Sequence, residues 1–266
     1  MWSFSDLIKN FFTHKDFLPS ADKMPGTMFT PLHFIFSACC IALVIALAVF
    51  VAKKSESTIK TTFTVLWISM VALEIVKIVW ESCSGASVNF EWGGIMPLYP
   101  CSIYMYAMPF AIFGNKLLRR AGAGYVCTLG LIGGTVNFVY PATILGNYSC
   151  ISFAGFHTFF YHGAMVFTAL VMLLSRYHSY KGVTKFTDLL VPSIPFLIVS
   201  VAANTVNYSP INSDYMFFKL NSFIFAPIGA ATPDILATVM VYVAYLFIHA
   251  MFYLPSYFSN KRKISV

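Results

Sequence analysis

Residues 28–52 read MFTPLHFIFSACCIALVIALAVFVA, and Lys53 and Lys54 follow directly. The stretch carries no Asp, Glu, Lys or Arg. It is long enough to cross a bilayer as a helix, which needs about 20 mostly apolar residues. We therefore predict a membrane-spanning helix that ends at a basic loop.

Six further stretches of the chain have the same apolar character. They are residues 61–81, 95–114, 123–144, 156–175, 189–208 and 233–254. Of the 266 residues, 58% are apolar and 10% are charged, against about 25% charged in an average soluble protein. This composition excludes a soluble globular domain, a disordered regulator and a disulfide-rich secreted module. We predict an all-α, polytopic bundle of about seven transmembrane helices.

No linker, internal repeat or low-complexity stretch divides the chain, so we predict a single membrane domain over residues 1–266. Within it, we expect an amphipathic N-terminal segment (1–27), the helix bundle (28–254) and a basic tail (255–266). Residues 1–20 mix aromatic and polar side chains, which favours an interfacial helix. Residues 209–232 combine prolines with aromatic runs, which favours a re-entrant or interfacial lid.

Basic residues lie mainly in alternate loops and in the tail, and set the predicted topology. The loops between spans 1 and 2, 3 and 4, and 5 and 6, and the tail after span 7, contain Lys53, Lys54, Lys60, Lys116, Arg119, Arg120, Arg176, Lys181, Lys185, Lys261, Arg262 and Lys263. The positive-inside rule predicts a cytoplasmic C-terminus and an external N-terminus, in the plasma membrane if the host is bacterial. Because the basic residues act as topology signals, we do not expect nucleic-acid binding.

The six cysteines show no CxxC pattern and no Cys/His spacing typical of zinc, so no metal is predicted. No soluble cofactor is implied, since the chain lacks a Gly-rich phosphate-binding loop. Cys83 and Cys150 fall in the two predicted outer loops that contain no Lys or Arg. The sequence leaves open whether they form a disulfide or remain free.

Polar residues within the spans concentrate in the half predicted to be outside. At 1.5 Å per residue, His33, Cys101 and His162 lie about 8–9 Å below the start of their spans. The other candidates in this half are Glu74, Lys77, Glu81, His157, Asn204 and Asn207. Ionisable groups within a bilayer are costly, so we predict that they line one pocket. The alternatives are neutralisation of Glu74 by Lys77, a packing role for His33, and interhelical hydrogen bonds from the asparagines.

Cys101 and His162 form the candidate catalytic pair. Cys101 follows Pro97 and Pro100, and prolines there indicate a broken or newly starting helix with unpaired backbone N–H groups that could face an oxyanion. His162, at matching depth, would remove the thiol proton, and Glu74, Glu81 or His157 would orient it. The alternative is a cysteine that only packs.

Three short motifs resemble the YwaF-type integral membrane family: FTPLH (29–33), PLYPCSI (97–103) and FFYHG (159–163). The resemblance extends over about residues 28–254. It implies a fold akin to the Thr/His membrane hydrolases of fatty-acid esters, and a cysteine nucleophile that transfers acyl chains onto lysophospholipids, including ether lipids in animal members. By position, Cys101 would be the nucleophile and His162 the base. The family tends to show PLHLC where this chain has PLYPC.

The leading hypothesis is a lipid acyltransferase that moves a fatty acyl chain between (lyso)phospholipids or related amphiphiles at the outer leaflet. Membrane lipids would be both donor and acceptor, and the oligomeric state is not predicted. One alternative is a lipid esterase that uses the same pair with water as the acceptor. Another is a small-solute transporter or a membrane scaffold, without catalysis, in which Glu74, Lys77 and Glu81 line a permeation route.

Overall fold

The computed structural model describes residues 3–86, 95–181, 183–221 and 225–264, and the secondary structure in these ranges is helical. The α-helices are α1 (Phe4–Lys9), α2 (Pro31–Val51), α3 (Glu56–Ser84), α4 (Ile103–Phe113), α5 (Lys116–Tyr125), α6 (Leu131–Val139), α7 (Ala142–Leu145), α8 (Phe153–Leu174), α9 (Ile194–Asn207), α10 (Ala226–Ala231) and α11 (Asp234–Ile264). A π-helical segment, Val126–Gly130, joins α5 to α6. Short 3₁₀ helices lie at Lys15–Phe17, Ala21–Lys23, Phe186–Leu189, Val191–Ser193 and Tyr215–Phe217.

Six segments of the described chain are long and apolar enough to cross a membrane. They are Pro31–Val51, Glu56–Ser84, Lys116–Leu145, Phe153–Leu174, Phe186–Asn207 and Asp234–Lys261. Only 11% of the apolar window of the first is buried within the bundle, against 67% for α8. The α8 helix is therefore central, whereas most of α2 would face lipid. The chain is an integral membrane protein with an all-α, polytopic bundle, as predicted.

The third predicted span, residues 95–114, differs most from the prediction. Helix begins only at Ile103, and α4 has 11 residues, about 16 Å of helix against a hydrocarbon core of about 30 Å. Pro97 and Pro100 lack the N–H that a longer helix would need, so the chain runs through turns before Ile103. Cys101 consequently lies in a turn ahead of the helix.

Side-chain caps and small residues determine how the helices start and pack. Thr30 caps α2, with Pro31 in its first turn, and Ser152 caps α8. Gly134 of α6 packs directly on α8, because a methyl group there would lie 3.0 Å from the His162 carbonyl oxygen and 2.8 Å from Val166. Any larger residue at this position would push α6 away from α8.

The N-terminal segment folds over one end of the bundle, and its α-helix is much shorter than the one predicted over residues 1–20. In the described part of this segment, only Phe4–Lys9 is α-helical, and a capping box between Ser3 and Asp6 caps its N-terminus. Beyond α1, the Phe12 carbonyl accepts a hydrogen bond from Trp80 Nε1 (2.8 Å), and the Phe11 carbonyl accepts one from the Phe153 backbone (2.8 Å). The long interfacial helix is replaced by a cover anchored to the bundle.

The predicted lid over residues 209–232 lies partly outside the described residues, which omit 222–224. In the described part, the Asn207 side chain forms two hydrogen bonds with the Tyr215 backbone. Its Oδ1 accepts from the Tyr215 N–H (2.7 Å) and its Nδ2 donates to the Tyr215 carbonyl (2.8 Å). Lys219 Nζ donates to the Asn207 carbonyl (2.7 Å), and Met216 is fully buried. Residues 213–220 are therefore tucked into the bundle, whereas most of residues 225–232 are exposed.

Helix α11 continues through Pro255 to Ile264, so the described part of the predicted tail is helical. Cys83 and Cys150 are both free, the first exposed and the second buried. The structure thus contains two free thiols where the sequence left a disulfide open. We call the end of the bundle where α2, α4 and α8 finish the basic end, and the opposite end the cavity end.

Candidate functional site

A cavity of about 500 Å³ opens at the cavity end of the bundle, within the range of roughly 300–1,000 Å³ typical of ligand pockets. The N-terminal segment, α3, the turn before α4, α6 and α8 all contribute to its wall. The polar and reactive side chains along it are His14, Lys15, Asp16, Glu74, Lys77, Glu81, Tyr99, Cys101, Ser102, Asn137, Thr143, His157, Thr158, Tyr161 and His162. Six of the nine predicted site residues therefore share one cavity.

The turn that carries Cys101 is held by hydrogen bonds on both sides of the thiol. The Ser102 N–H donates to the Tyr99 carbonyl (2.9 Å), and the Tyr104 N–H donates to the Cys101 carbonyl (3.2 Å). Tyr125, at the end of α5, donates its hydroxyl proton to the Pro100 carbonyl (2.7 Å). The backbone at the candidate nucleophile is therefore fixed by a side chain from a distant part of the sequence.

Gly133 of α6 lies opposite the Cys101 sulfur, at a distance where a methyl group would make ordinary van der Waals contact. A methyl group at Gly133 would lie 3.6 Å from Cys101 Sγ and 3.8 Å from Met165 Cε, so the thiol lies where α6 meets α8. Within the described ranges, the backbone N–H of Ile103 has no hydrogen-bond acceptor, whereas that of Cys101 interacts with its own sulfur. The start of α4 thus leaves the Ile103 N–H unpaired two residues after the thiol, but Ile103 is fully buried and is not among the residues that line the cavity.

The ring of His162 is oriented from its own helix. Nδ1 lies 2.7 Å from the Thr158 carbonyl and 3.3 Å from Thr158 Oγ1, and Asn137 Nδ2 donates to that hydroxyl (3.4 Å). A carbonyl can only accept, so the proton of the neutral ring lies on Nδ1. Nε2 is then an acceptor with no hydrogen-bond partner among the described residues, which is the tautomer that a general base needs.

Beside the pair lies a compact ionic cluster made of Glu74, Lys77 and His157. Lys77 Nζ donates to Glu74 Oε1 at 2.8 Å, and His157 Nε2 lies 2.9 Å from Glu74 Oε2. Glu74 is 5% exposed, a degree of burial that a carboxylate tolerates only with such partners. The predicted neutralisation of Glu74 by Lys77 is present, and both groups also line the cavity.

The N-terminal segment adds a second group of charged side chains at the rim. His14 Nε2 lies 3.7 Å from Glu81 Oε1, and His14 Nδ1 lies 3.1 Å from Asp16 Oδ2. The Ala86 N–H donates to Asp16 Oδ2 (2.9 Å) and, with His14 and Lys15, holds the pKa of that carboxyl below its usual value. These contacts fasten the N-terminal cover to the end of α3.

Three predicted site residues lie outside the cavity wall. His33 is fully buried, with Nδ1 accepting from the Phe29 N–H (3.2 Å) and Nε2 lying 3.2 Å from the Phe138 carbonyl. Asn204 Nδ2 donates to the Tyr242 hydroxyl (2.9 Å). Asn207 contributes indirectly, since it holds Tyr215, whose hydroxyl accepts from the Met96 N–H (3.0 Å) at the cavity wall.

Sequence reasoning missed His14, Asp16, Thr158 and Tyr161, although all four line the cavity. Thr158 was within reach of that reasoning, because it precedes His162 by four residues and so lies on the same helical face. His14 and Asp16 precede the first span, and no spacing rule relates them to α3. No group of three or more His, Cys, Asp or Glu residues in the described ranges is arranged to hold a metal ion.

Comparisons with known proteins agree with the membrane fold and identify the family. Comparison with curated proteins and with solved structures gave no match. The model of the TMEM164 family, in contrast, matches residues 28–259, which is most of the chain; of the six candidate spans in the described residues, it covers five in full and Asp234–Lys261 up to residue 259. The chain therefore belongs to the TMEM164 family.

Proposed function

We propose that this protein is a membrane-embedded lipid acyltransferase with Cys101 as the nucleophile and His162 as the base. The observation that carries the proposal is the state of His162. Its Nδ1 is occupied by the Thr158 carbonyl and its Nε2 has no partner in the described chain, while its ring shares a cavity with the Cys101 thiol. The YwaF-type resemblance assigns the same two residues.

In the first half-reaction, the thiol proton moves to His162 Nε2 as the sulfur attacks the ester carbonyl of a donor lipid. The tetrahedral oxyanion would be met by the backbone N–H of Cys101, in the turn before α4. Collapse breaks the ester bond, leaves the acyl chain on Cys101 as a thioester, and returns the proton from His162 to the departing lysolipid oxygen.

In the second half-reaction, a hydroxyl group of the acceptor amphiphile gives its proton to His162 and attacks the thioester carbonyl. The carbon–sulfur bond breaks, the new ester leaves, and the sulfur recovers the proton from the imidazolium. No redox change and no soluble cofactor is needed. Membrane lipids supply both donor and acceptor.

The ionic cluster and the cavity rim would hold the polar part of the lipid. Lys77 is 24% exposed while its partner Glu74 is nearly buried, so ammonium N–H groups remain available on the cavity side. Replacing the acceptor hydroxyl by water would make the same pair an esterase, which is the second candidate. A polar cavity lined by charged side chains is compatible with water entry, so product analysis must separate the two.

The decisive experiment is acyl transfer by the purified full chain in nanodiscs that contain a phospholipid with a labelled acyl chain, with and without an added lysophospholipid. We expect labelled product on the lysophospholipid and a hydroxylamine-sensitive acyl adduct at Cys101 by mass spectrometry. Cys101→Ala should abolish both. Cys39→Ala removes an exposed cysteine of α2 and serves as the matched control.

Two results would overturn the proposal. One is unchanged product formation in Cys101→Ala, which would exclude the thiol as nucleophile. The other is labelled free fatty acid whose yield does not respond to added lysophospholipid, which would assign the esterase instead. Absence of any lipid product, together with solute flux that requires Lys77, would favour the transporter.

A further inference from the structure

A second cavity, of about 550 Å³, opens at the basic end of the bundle. It lies between the start of α5 and the loop that follows α8. The side chains important here are Lys116, Arg119, Arg120, Tyr177, His178 and Lys181. Four of these six carry a positive charge at neutral pH. The positive-inside rule requires basic residues in these loops but does not require them to line one cavity, as they do here.

The two arginines are already held in place by other groups. Arg119 Nη2 donates to Glu56 Oε1 (3.0 Å), and its guanidinium lies 4.0 Å from the centre of the Tyr177 ring. Arg120 Nη1 donates to Asp188 Oδ1 (3.1 Å). A guanidinium group has five N–H donors, and each contact uses only some of them. The remaining N–H groups can bind an anion, and the contacts already fix the position of the side chain.

The two lysines, in contrast, have no counter-ion among the residues that the structure describes. The ammonium groups of Lys116 and Lys181 form no ion pair or hydrogen bond within the described ranges, and both side chains are exposed. Glu56 is moreover shared between Arg119 and Lys60. The positive charge of the cavity is therefore only partly compensated by the protein.

His178 adds no charge to this cavity at neutral pH. Burial, with a further contribution from Arg120, lowers its pKa to about 4, and Nε2 lies 2.8 Å from the Tyr253 hydroxyl. Lysine and arginine alone thus carry the positive charge. The contribution of the protein to the affinity for an anion should accordingly be nearly constant between about pH 6 and pH 8.

Apolar side chains next to the cavity indicate its depth. Phe113 lies three residues before Lys116, and Leu117 directly follows it. Their side chains are 65% and 54% exposed, as expected where a bundle faces acyl chains. A cationic cavity beside lipid-facing apolar residues lies at headgroup level. We propose that this basic cavity binds a phosphate group, carried by an anionic phospholipid of the adjacent leaflet or free as inorganic phosphate.

The test measures binding of short-chain phosphatidic acid and, separately, of inorganic phosphate to the purified full chain in detergent. The variant Lys116→Gln/Lys181→Gln removes the two uncompensated cations and leaves both arginine ion pairs intact. The control Lys53→Gln/Lys54→Gln removes the same charge from the same end of the bundle, in a loop that does not line the cavity. Equal melting temperatures of the two variants establish that both are folded.

We expect saturable binding of phosphatidic acid that is roughly tenfold weaker in the Lys116/Lys181 variant and changes less than about twofold in the control. If inorganic phosphate also binds, and its affinity falls by the same factor in the Lys116/Lys181 variant, the phosphate group alone is recognised. Phosphate that does not bind while phosphatidic acid does assigns the site to a lipid headgroup. Non-saturable binding of both ligands, or equal weakening in both variants, overturns the proposal.

Discussion

Two groups of polar side chains lie inside this bundle, and they differ in what surrounds them. The cavity group (Glu74, His157 and His162) borders open space of about 500 Å³. The packed group is Thr128, His249 and Tyr253, nearer the basic end. All three of its side chains are buried, and none of them lines that cavity.

The histidines of the two groups are held in similar ways. Thr128 Oγ1 donates to the Gly124 carbonyl (2.7 Å), so His249 Nδ1–H must donate to Thr128 Oγ1 (2.6 Å). His249 Nε2 is then an unpartnered acceptor, as His162 Nε2 is within the described chain. The difference is the adjacent space, which allows a substrate to reach His162 and leaves His249 enclosed. A polar residue in a membrane span is therefore a candidate site only together with a cavity.

The largest expected difference is between the two histidines themselves. His162→Gln should lower acyl transfer by about 10²–10⁴-fold, the contribution typical of general acid–base catalysis. His249→Gln should retain most of the activity, because no substrate reaches it. Initial rates in nanodiscs measure both. Equal loss of activity in the two variants, at equal melting temperature, would break the distinction between the groups.

Glu74→Gln should have the next largest effect, this time on stability. It leaves Lys77 and His157 without their carboxylate in a mostly buried position, where breaking a buried pair costs about 3–5 kcal/mol. Thr128→Val removes a hydrogen-bond partner from the packed group and should cost about 1–3 kcal/mol. Thermal unfolding of both variants in the same detergent compares their losses of stability. A smaller loss in Glu74→Gln than in Thr128→Val would contradict this ranking.

Tyr125→Phe should have a moderate effect that distinguishes positioning from chemistry. It removes the hydrogen bond to the Pro100 carbonyl, worth about 1 kcal/mol, and loosens the turn that carries Cys101. We expect kcat to fall by about tenfold with KM and the pH profile unchanged, since the base is untouched. Tyr180→Phe, which removes a hydroxyl bound to the Cys127 carbonyl away from that turn, is the control. A shift in the pH profile of Tyr125→Phe would argue against a positioning role.

Asp16→Asn should have the smallest effect, confined to the N-terminal cover. The pKa of Asp16 is lowered in the folded state, chiefly by the Ala86 N–H, so its contribution is present above the ordinary carboxyl pKa and is lost as the pH falls through the lowered value. Limited proteolysis of residues 3–27 at pH 6 should be faster in Asp16→Asn than in wild type, and the difference should shrink as the pH falls below the ordinary carboxyl pKa. Asp22→Asn has the same charge change and should resemble wild type.

Much of the membrane architecture was predictable because each span is apolar over its own length. Residues 28–52 and Pro31–Val51, or 156–175 and Phe153–Leu174, agree to within a few residues. The start of α4 was not predictable from hydropathy, since residues 95–102 are as apolar as a helix would be. Only the prolines indicated the turn, and the predicted span nevertheless included these residues.

The candidate site was predictable in part. Glu74, Lys77 and Glu81 lie on one face of α3 by their spacing, and depth placed Cys101 and His162 at one level. The structure brings these five residues and His157 to one cavity. His33 also has that depth, yet it packs against Phe138 away from the cavity, because depth says nothing about the direction in which a helix face points. His14 and Asp16 reach the cavity only because the N-terminal segment folds back over α3.

By itself, the sequence determined that this chain is an integral membrane protein of apolar helices with alternating basic loops, because hydrophobic length and charge placement are local properties that a bilayer acts on directly. Tertiary structure alone decided which polar groups border open space. It set Tyr125 against the Cys101 turn, Gly133 against the thiol and the Thr158 carbonyl against His162. Whether a buried nitrogen faces a cavity or a packed neighbour depends on how helices distant in sequence pack, and no local pattern encodes that.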